Sequence, residues 1–203
     1  MDAIILQILN GLDKGSAYAL IALGLTLIFG TLGVVNFAHG ALFAIGAFCA
    51  VTMQRLLRLS YLVEDPSQKD FLGNPKKVPH LYLEQWLDPG TARWLADWSV
   101  PLAILLTVPV MLVIGFAMER GLIKHFYRRA DADQILVTFG LAIVLGEVLK
   151  YAFGANEIAT PAPEAFRGAF DFGVLLGFDP GKIIYPYWRL VYFGVAVAII
   201  AGV

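Results

Sequence analysis

The chain has 203 residues, 59% of them hydrophobic and only 15% charged, with a mean hydropathy of +0.72; soluble domains run at about a quarter charged. Fifteen Lys and Arg stand against sixteen Asp and Glu, a net charge of −1 that leaves no polybasic footprint for nucleic acid. A water-soluble enzyme, a disordered tail and a disulfide-stapled secreted domain are excluded, since the lone Cys49 lies inside an apolar block and has no intrachain partner.

A membrane-crossing helix needs about 20 mostly apolar residues. Five blocks approach that length: residues 4–29, 38–53, 100–118, 135–153 and 185–203. The expected fold is all-α: an integral membrane protein, a polytopic helical bundle of about five transmembrane helices forming a single domain over residues 1–203. It carries an ordered extracytoplasmic insertion and a short hairpin.

The first block holds the polar stretch 10–16, so it reads either as one span or as a short lead-in helix, a break and a span from Ala17. Met1 and Asp2 precede it with no basic residue before Lys14, unlike a cleavable signal peptide. Gly11 and Gly15, with Ala19, recur every four residues, a spacing that lets helix backbones approach closely in a bilayer.

Between the first two blocks lies Gly30-Thr31-Leu32-Gly33-Val34-Val35-Asn36-Phe37-Ala38-His39-Gly40, without a Lys or Arg. Non-helical backbone at membrane depth is tolerated only where protein buries it or a cavity hydrates it. Asn36 and His39 therefore read as a cap on the next helix or as the lining of a polar path. On that helix Gly40 with Ala44, and Gly46 with Ala50, repeat the small-residue spacing.

Residues 57–98 interleave Trp86, Trp94, Trp98, Tyr61 and Tyr82 with charges and prolines. They read either as short amphipathic helices at the membrane surface or as an ordered loop over the outer ends of the spans. Pro101 opens the third block and Pro109 is expected to kink it. Arg120, Lys124, Arg128 and Arg129 crowd the 119–134 loop, which the positive-inside rule assigns to the cytoplasm. Alternation then sends 57–98, 154–184 and the N-terminus outside.

Gly140, with Gly146 and Ala142, lightens one side of the fourth block, and Glu147 and Lys150 share a face at i, i+3. An intramembrane carboxylate is a candidate for function, although a lysine near the boundary also snorkels to the headgroups. In the outer segment 154–184, the alternation from Ala169 to Val174 suggests a hairpin.

The search for chemistry is otherwise negative. His39, His80 and His125 are far apart; there is no metal-ligand spacing, no nucleophile elbow and no phosphate loop, and Gly181-Lys182 lacks both the upstream glycine and the hydroxyl. The readings left open are a pore subunit driven by a partner, a stand-alone ion-coupled carrier or channel, and an intramembrane enzyme, the last lacking a convergent nucleophile and base.

Taken together, Asn10-Gly11-Leu12, the run from Gly15 to Thr26 and Gly33-Val34-Val35-Asn36-Phe37-Ala38-His39-Gly40 resemble the permease subunits of branched-chain amino acid ABC importers of the LivH type. Glu119-Arg120 and the run from Gln134 to Gly140 fit the same family. The resemblance implies a bacterial inner-membrane pore with a periplasmic N-terminus, formed with a second homologous permease subunit. Two cytoplasmic ATPase subunits would use the ATP, a periplasmic solute-binding protein would deliver branched-chain amino acids or related amides, and this chain would bind no cofactor or metal. It further implies a longer chain, with a segment gripping the ATPase and more spans after Val203; a chain of this length is expected to be truncated or partial, unable alone to couple to ATP hydrolysis. The 57–98 insertion is long for a connector in such a family.

Overall fold

The computed structural model describes residues 2–32, 36–69, 71, 73–156, 158, 160, 166–175 and 177–203. Gly33, Val34 and Val35 of the turn, and residues 157, 159, 161–165 and 176 of the second outer segment, lie outside the described residues. Among the described residues, four helices are long and apolar enough to cross a membrane: α1 (Asp2–Leu32), α2 (His39–Leu57), α4 (Ser99–Gly121) and α5 (Asp131–Phe153). A fifth apolar helix, α7 (Tyr187–Gly202), has 16 residues. Four crossings by length, with a shorter fifth helix, make this a polytopic helical membrane protein.

α1 is one helix of 31 residues, without the break allowed for at residues 10–16. In lipid the backbone finds hydrogen-bond partners only within the helix, so a few polar side chains do not open it. Hydroxyls fold back on the same ladder: Ser16 Oγ donates to Asp13 O at 2.7 Å and Thr26 Oγ1 to Ala22 O at 2.8 Å. α5 starts with Asp131 and Asp133 in its first turn, where acidic groups complement the helix dipole. Between α4 and α5 a short 3-10 turn, Ile123–Phe126, leaves a compact basic connection.

Packing divides the chain into two units, Met1–Gly46 with Val113–Ala162 and Phe166–Val203, and Ala47–Leu112 with Pro163–Ala165. The boundary cuts through α2 and α4. In the first unit, α1 and α7 make the most extensive helix-to-helix packing among the described residues. A small two-stranded module precedes α7. Strand β3 (Ala169–Asp171) pairs antiparallel with β4 (Ile184–Pro186), Phe170 opposite Tyr185, and a single helical turn, α6 (Phe172–Leu175), lies between them. The hairpin suggested by the alternation from Ala169 is present, with its second strand beyond a loop that Asp171 ties together. Its Oδ1 accepts the Gly173 N–H at 2.8 Å and its Oδ2 the Gly181 N–H at 2.6 Å. A Cβ at Gly173 would stand 2.8 Å from Asp171 Oδ1 and 3.0 Å from Asp179 O, so only glycine fits there.

The second unit changes the reading of 57–98 in its first half and keeps an amphipathic helix in its second. Its first half is an antiparallel hairpin, β1 (Ser60–Lys69) with β2 (Pro75–Leu81), registering Ser60 with Leu81 and Glu64 with Lys77. Both strands are edges, so Pro66 and Pro79 sit in them without breaking an interior ladder. Only one amphipathic α-helix follows, α3 (Pro89–Asp97), after a 3-10 turn at Tyr82–Gln85. Glu84, nearly buried, joins the pieces: Oε2 is 3.0 Å from His80 Nδ1 and Oε1 is 3.7 Å from Arg93 Nε.

Asp88 caps α3, accepting the Thr91 N–H at 2.9 Å and the Thr91 hydroxyl at 2.7 Å, ahead of Pro89 in the first turn. The hydroxyl bond first, then the backbone bond, hold the Asp88 carboxyl below its ordinary pKa. Asp65 in β1 is lowered in the same way by the Ser67 hydroxyl and N–H.

Candidate functional site

The connection between α1 and α2 is built by three helices. Asn36 is 6% exposed and its Oδ1 accepts the Ala38 N–H at 2.9 Å, while its carbonyl accepts the His39 N–H at 3.3 Å. This is the cap that the sequence allowed. Phe37 N–H donates to Thr138 Oγ1 of α5 at 3.1 Å, and Thr138 in turn donates to Gln134 O at 2.8 Å. The half-buried His39 ring packs on α1, where a Cβ at Gly24 would lie 3.2 Å from its Cε1 and Nε2.

These contacts fix a depth. Gly24 precedes the end of α1 by eight residues and Thr138 follows the start of α5 by seven. At 1.5 Å per residue, α2 therefore begins about 10–12 Å inside the ends of α1 and α5. A helix start at that depth must have its backbone groups met by protein, and Asn36 and Thr138 do so. It also leaves the positive end of the α2 dipole inside the bundle.

A second polar cluster joins α1 to α7. Tyr185 OH donates to Leu9 O at 3.1 Å, Arg189 Nη1 donates to Asn10 Oδ1 at 2.8 Å, and the same nitrogen is 3.8 Å from Asp13 Oδ2. The Arg189 guanidinium also lies over the rings of Trp188 and Tyr185, at 5.4 and 5.7 Å. Moving one turn along α1, from Leu9 to Asp13, moves the contact one turn along the other segment, from Tyr185 to Arg189. The two helices therefore run parallel. A first and a fifth crossing are separated by four reversals and so point the same way, which agrees with three crossings, α2, α4 and α5, between them.

The other residues singled out in the sequence are elsewhere. Glu147 Oε1 and Lys150 Nζ pair at 2.6 Å with side chains 66% and 61% exposed, away from both clusters' contacts. A Cβ at Gly11, Gly15, Gly40 or Gly140 would meet open space, so these faces make no close helix approach among the described residues. Gly46 is half-buried in α2. At the basic connection, Tyr127 OH donates to Glu119 Oε1 at 3.2 Å; burial first, then that acceptor, raises the phenol pKa.

Sequence reading passed over Gly24, Thr138, Asn10, Asp13 and Arg189 as members of these clusters. Arg189 carried a usable signal: it is the one charged residue in the block 185–203, and a charge in an apolar helix calls for a partner. Gly24 carried none, since its role depends on a ring fifteen positions away in the sequence.

Residues 7–203 match the family described as branched-chain amino acid transport system, permease component. The chain is 48% identical over 203 residues to the high-affinity branched-chain amino acid transport system permease protein BraD of Pseudomonas aeruginosa, covering 97% of this chain and 52% of that protein. It is 50% identical over 167 residues to the permease protein LivH of Escherichia coli K12, and equally to LivH of Salmonella typhimurium, each covering 82% of this chain and 44% of the relative. The chain thus spans about half the length of the curated relatives it matches. No solved structure matches it.

Proposed function

The chain belongs to the permease family of branched-chain amino acid transport systems, and on that premise we propose that it is a membrane pore subunit of an ATP-driven importer for branched-chain amino acids or related amides. A second homologous permease subunit completes the pore. Two cytoplasmic ATPase subunits use the ATP, so this chain acts without a cofactor and without catalysis of its own. A periplasmic solute-binding protein delivers the solute to the outer side, where 57–98 and 154–184 face it.

The observation that carries the reading is the family match running from residue 7 to residue 203. Orientation in a bacterial inner membrane is supported by the basic side chains after α4, which favour the cytoplasm. If α4 ends there, alternation sends α1 inward from a periplasmic N-terminus, and the parallel run of α7 agrees with that direction. Alternating access asks for polar backbone inside the bundle that can be exposed to one side and then the other. Among the described residues the start of α2 has that character: Asn36 holds the helix start and His39 borders the solute path, while Glu147 is exposed and paired with Lys150.

Copurification tests the proposal. The chain is tagged at its native locus, extracted in mild detergent and the eluate identified by mass spectrometry. An ATPase and a second permease in the eluate are expected; a full-length product that elutes with no ATPase overturns the reading.

A further inference from the structure

α3 and α4 meet at Trp98 without a loop. Trp98 N–H donates to Trp94 O at 3.0 Å, closing α3, and Leu102 N–H donates to Trp98 O at 3.1 Å, opening α4, so one residue ends one helix and starts the next. Each helix has a small, buried side: Ala92 and Ala96 on α3, and Ser99, Ala103 and Thr107 on α4. The opposite side carries Trp94 and Trp98, 54% and 39% exposed, their rings 6.4 Å apart. At helical spacing the same side continues through Leu105, Val108 and Leu112, at 66%, 52% and 68% exposure. In a chain that crosses a bilayer, such an apolar stripe is its lipid-facing surface, and the two indoles extend it outward.

The length of the stripe fits the bilayer. Arg120, whose guanidinium lies 4.5 Å over the Phe116 ring, stands 22 residues beyond Trp98. That is about 33 Å of helix, against about 30 Å of hydrocarbon. With Arg120 at the inner boundary, Trp98 stands at the outer one, among headgroups, and the Trp94 ring lies 6.4 Å from it. An indole suits that layer, since its flat ring buries apolar area at the level of the headgroups. The exposed Arg93 and Asp97 beside the pair keep their charges in the hydrated layer.

We propose that Trp94 and Trp98 form a lipid-headgroup anchor that fixes the depth of α4 at the outer face of the membrane. The surface takes a lipid occupant, because it is continuous with the apolar stripe of a membrane-spanning helix.

Depth-dependent fluorescence quenching tests this on the full chain in phosphatidylcholine vesicles, with Trp86→Phe and Trp188→Phe leaving only the pair. Lipids brominated near the headgroup are expected to quench at least about twofold more than lipids brominated near the bilayer centre. Stronger quenching by the deep bromines overturns the proposal. So does quenching by aqueous iodide without quenching by either lipid, which puts the pair in water, and so does shielding from all three quenchers, which means that protein covers it.

Discussion

Arg189 of α7 donates to Asn10 of α1 at 2.8 Å, and the polar stretch of the first helix is explained by the one charged side chain of the last. Asp13, 17% exposed, lies 3.8 Å from the same guanidinium. The pair holds a short helix to a long one in a medium that supplies no hydrophobic force between helices.

Arg189→Ala removes a charge-assisted hydrogen bond and leaves the Asp13 carboxylate without its nearest cation. A hydrogen bond to a charged group contributes about 1.5–3 kcal/mol, and a loss of that order is expected in detergent unfolding. Arg189→Gln combined with Asp13→Asn restores most of it, because neutral amides pair without a stranded charge. A double variant as unstable as Arg189→Ala contradicts the pairing.

Gly24 is small because His39 lies against it. A methyl at Gly24 would sit 3.2 Å from the imidazole, so Gly24→Ala is expected to cost about 1 kcal/mol, and Gly24→Leu more, as overpacking does. His39→Ala beside Gly24→Leu relieves the clash. Thermal unfolding of the two single variants and the double one reads the coupling, which vanishes if ring and helix are not in contact.

Thr138→Val keeps the shape of the side chain but deprives the Phe37 N–H of its acceptor. A fully buried unsatisfied donor costs about 1–3 kcal/mol, and for this part-buried bond the lower end is expected. Thr138→Ser retains the hydroxyl and is expected to lose clearly less. Hydrogen exchange at Phe37 and Ala38 should quicken in the valine variant alone; equal protection in both would show that the bond contributes nothing.

The Asp88 cap makes α3 sensitive to acid. Hydrogen bonds from Thr91 lower its pKa in the fold beneath the ordinary 3.8. A depressed carboxylate stabilises above its unfolded pKa, and that contribution is lost as pH falls from there through the folded value. Amide exchange at Ala92 and Arg93 is therefore expected to lose protection in acid below the ordinary aspartate range. Asp88→Asn should flatten this dependence while keeping much of the cap. A wild-type profile no different from Asp88→Asn contradicts the role given to the carboxylate.

How much was readable follows from the kind of contact involved. Apolar blocks are local, and they announced the helical membrane fold; Asn36 as a cap and Glu147 with Lys150 as a pair depend on neighbours within four residues, and the structure has both. β1 and β2 were not legible, because their strands hold prolines and charges that only a two-stranded sheet with two free edges accepts. The pairing of Ala169–Asp171 with Ile184–Pro186 was hidden because Asp171 closes the intervening loop through backbone N–H groups. Contacts of long sequence separation, Phe37 with Thr138 and Asn10 with Arg189, leave no periodic trace in one sequence. The resemblance to permeases ran through both Gly24 and the α1–α2 turn but did not say that Gly24 lies against His39.

Uptake by the reconstituted assembly tests the importer account most directly. The complex that copurifies with this chain is placed in proteoliposomes with the solute-binding protein, and entry of labelled leucine is followed with ATP or a non-hydrolysable analogue on the ATPase side. The account predicts leucine accumulation that requires hydrolysable ATP and the binding protein. Leucine uptake driven by an ion gradient in the absence of the ATPases would contradict it.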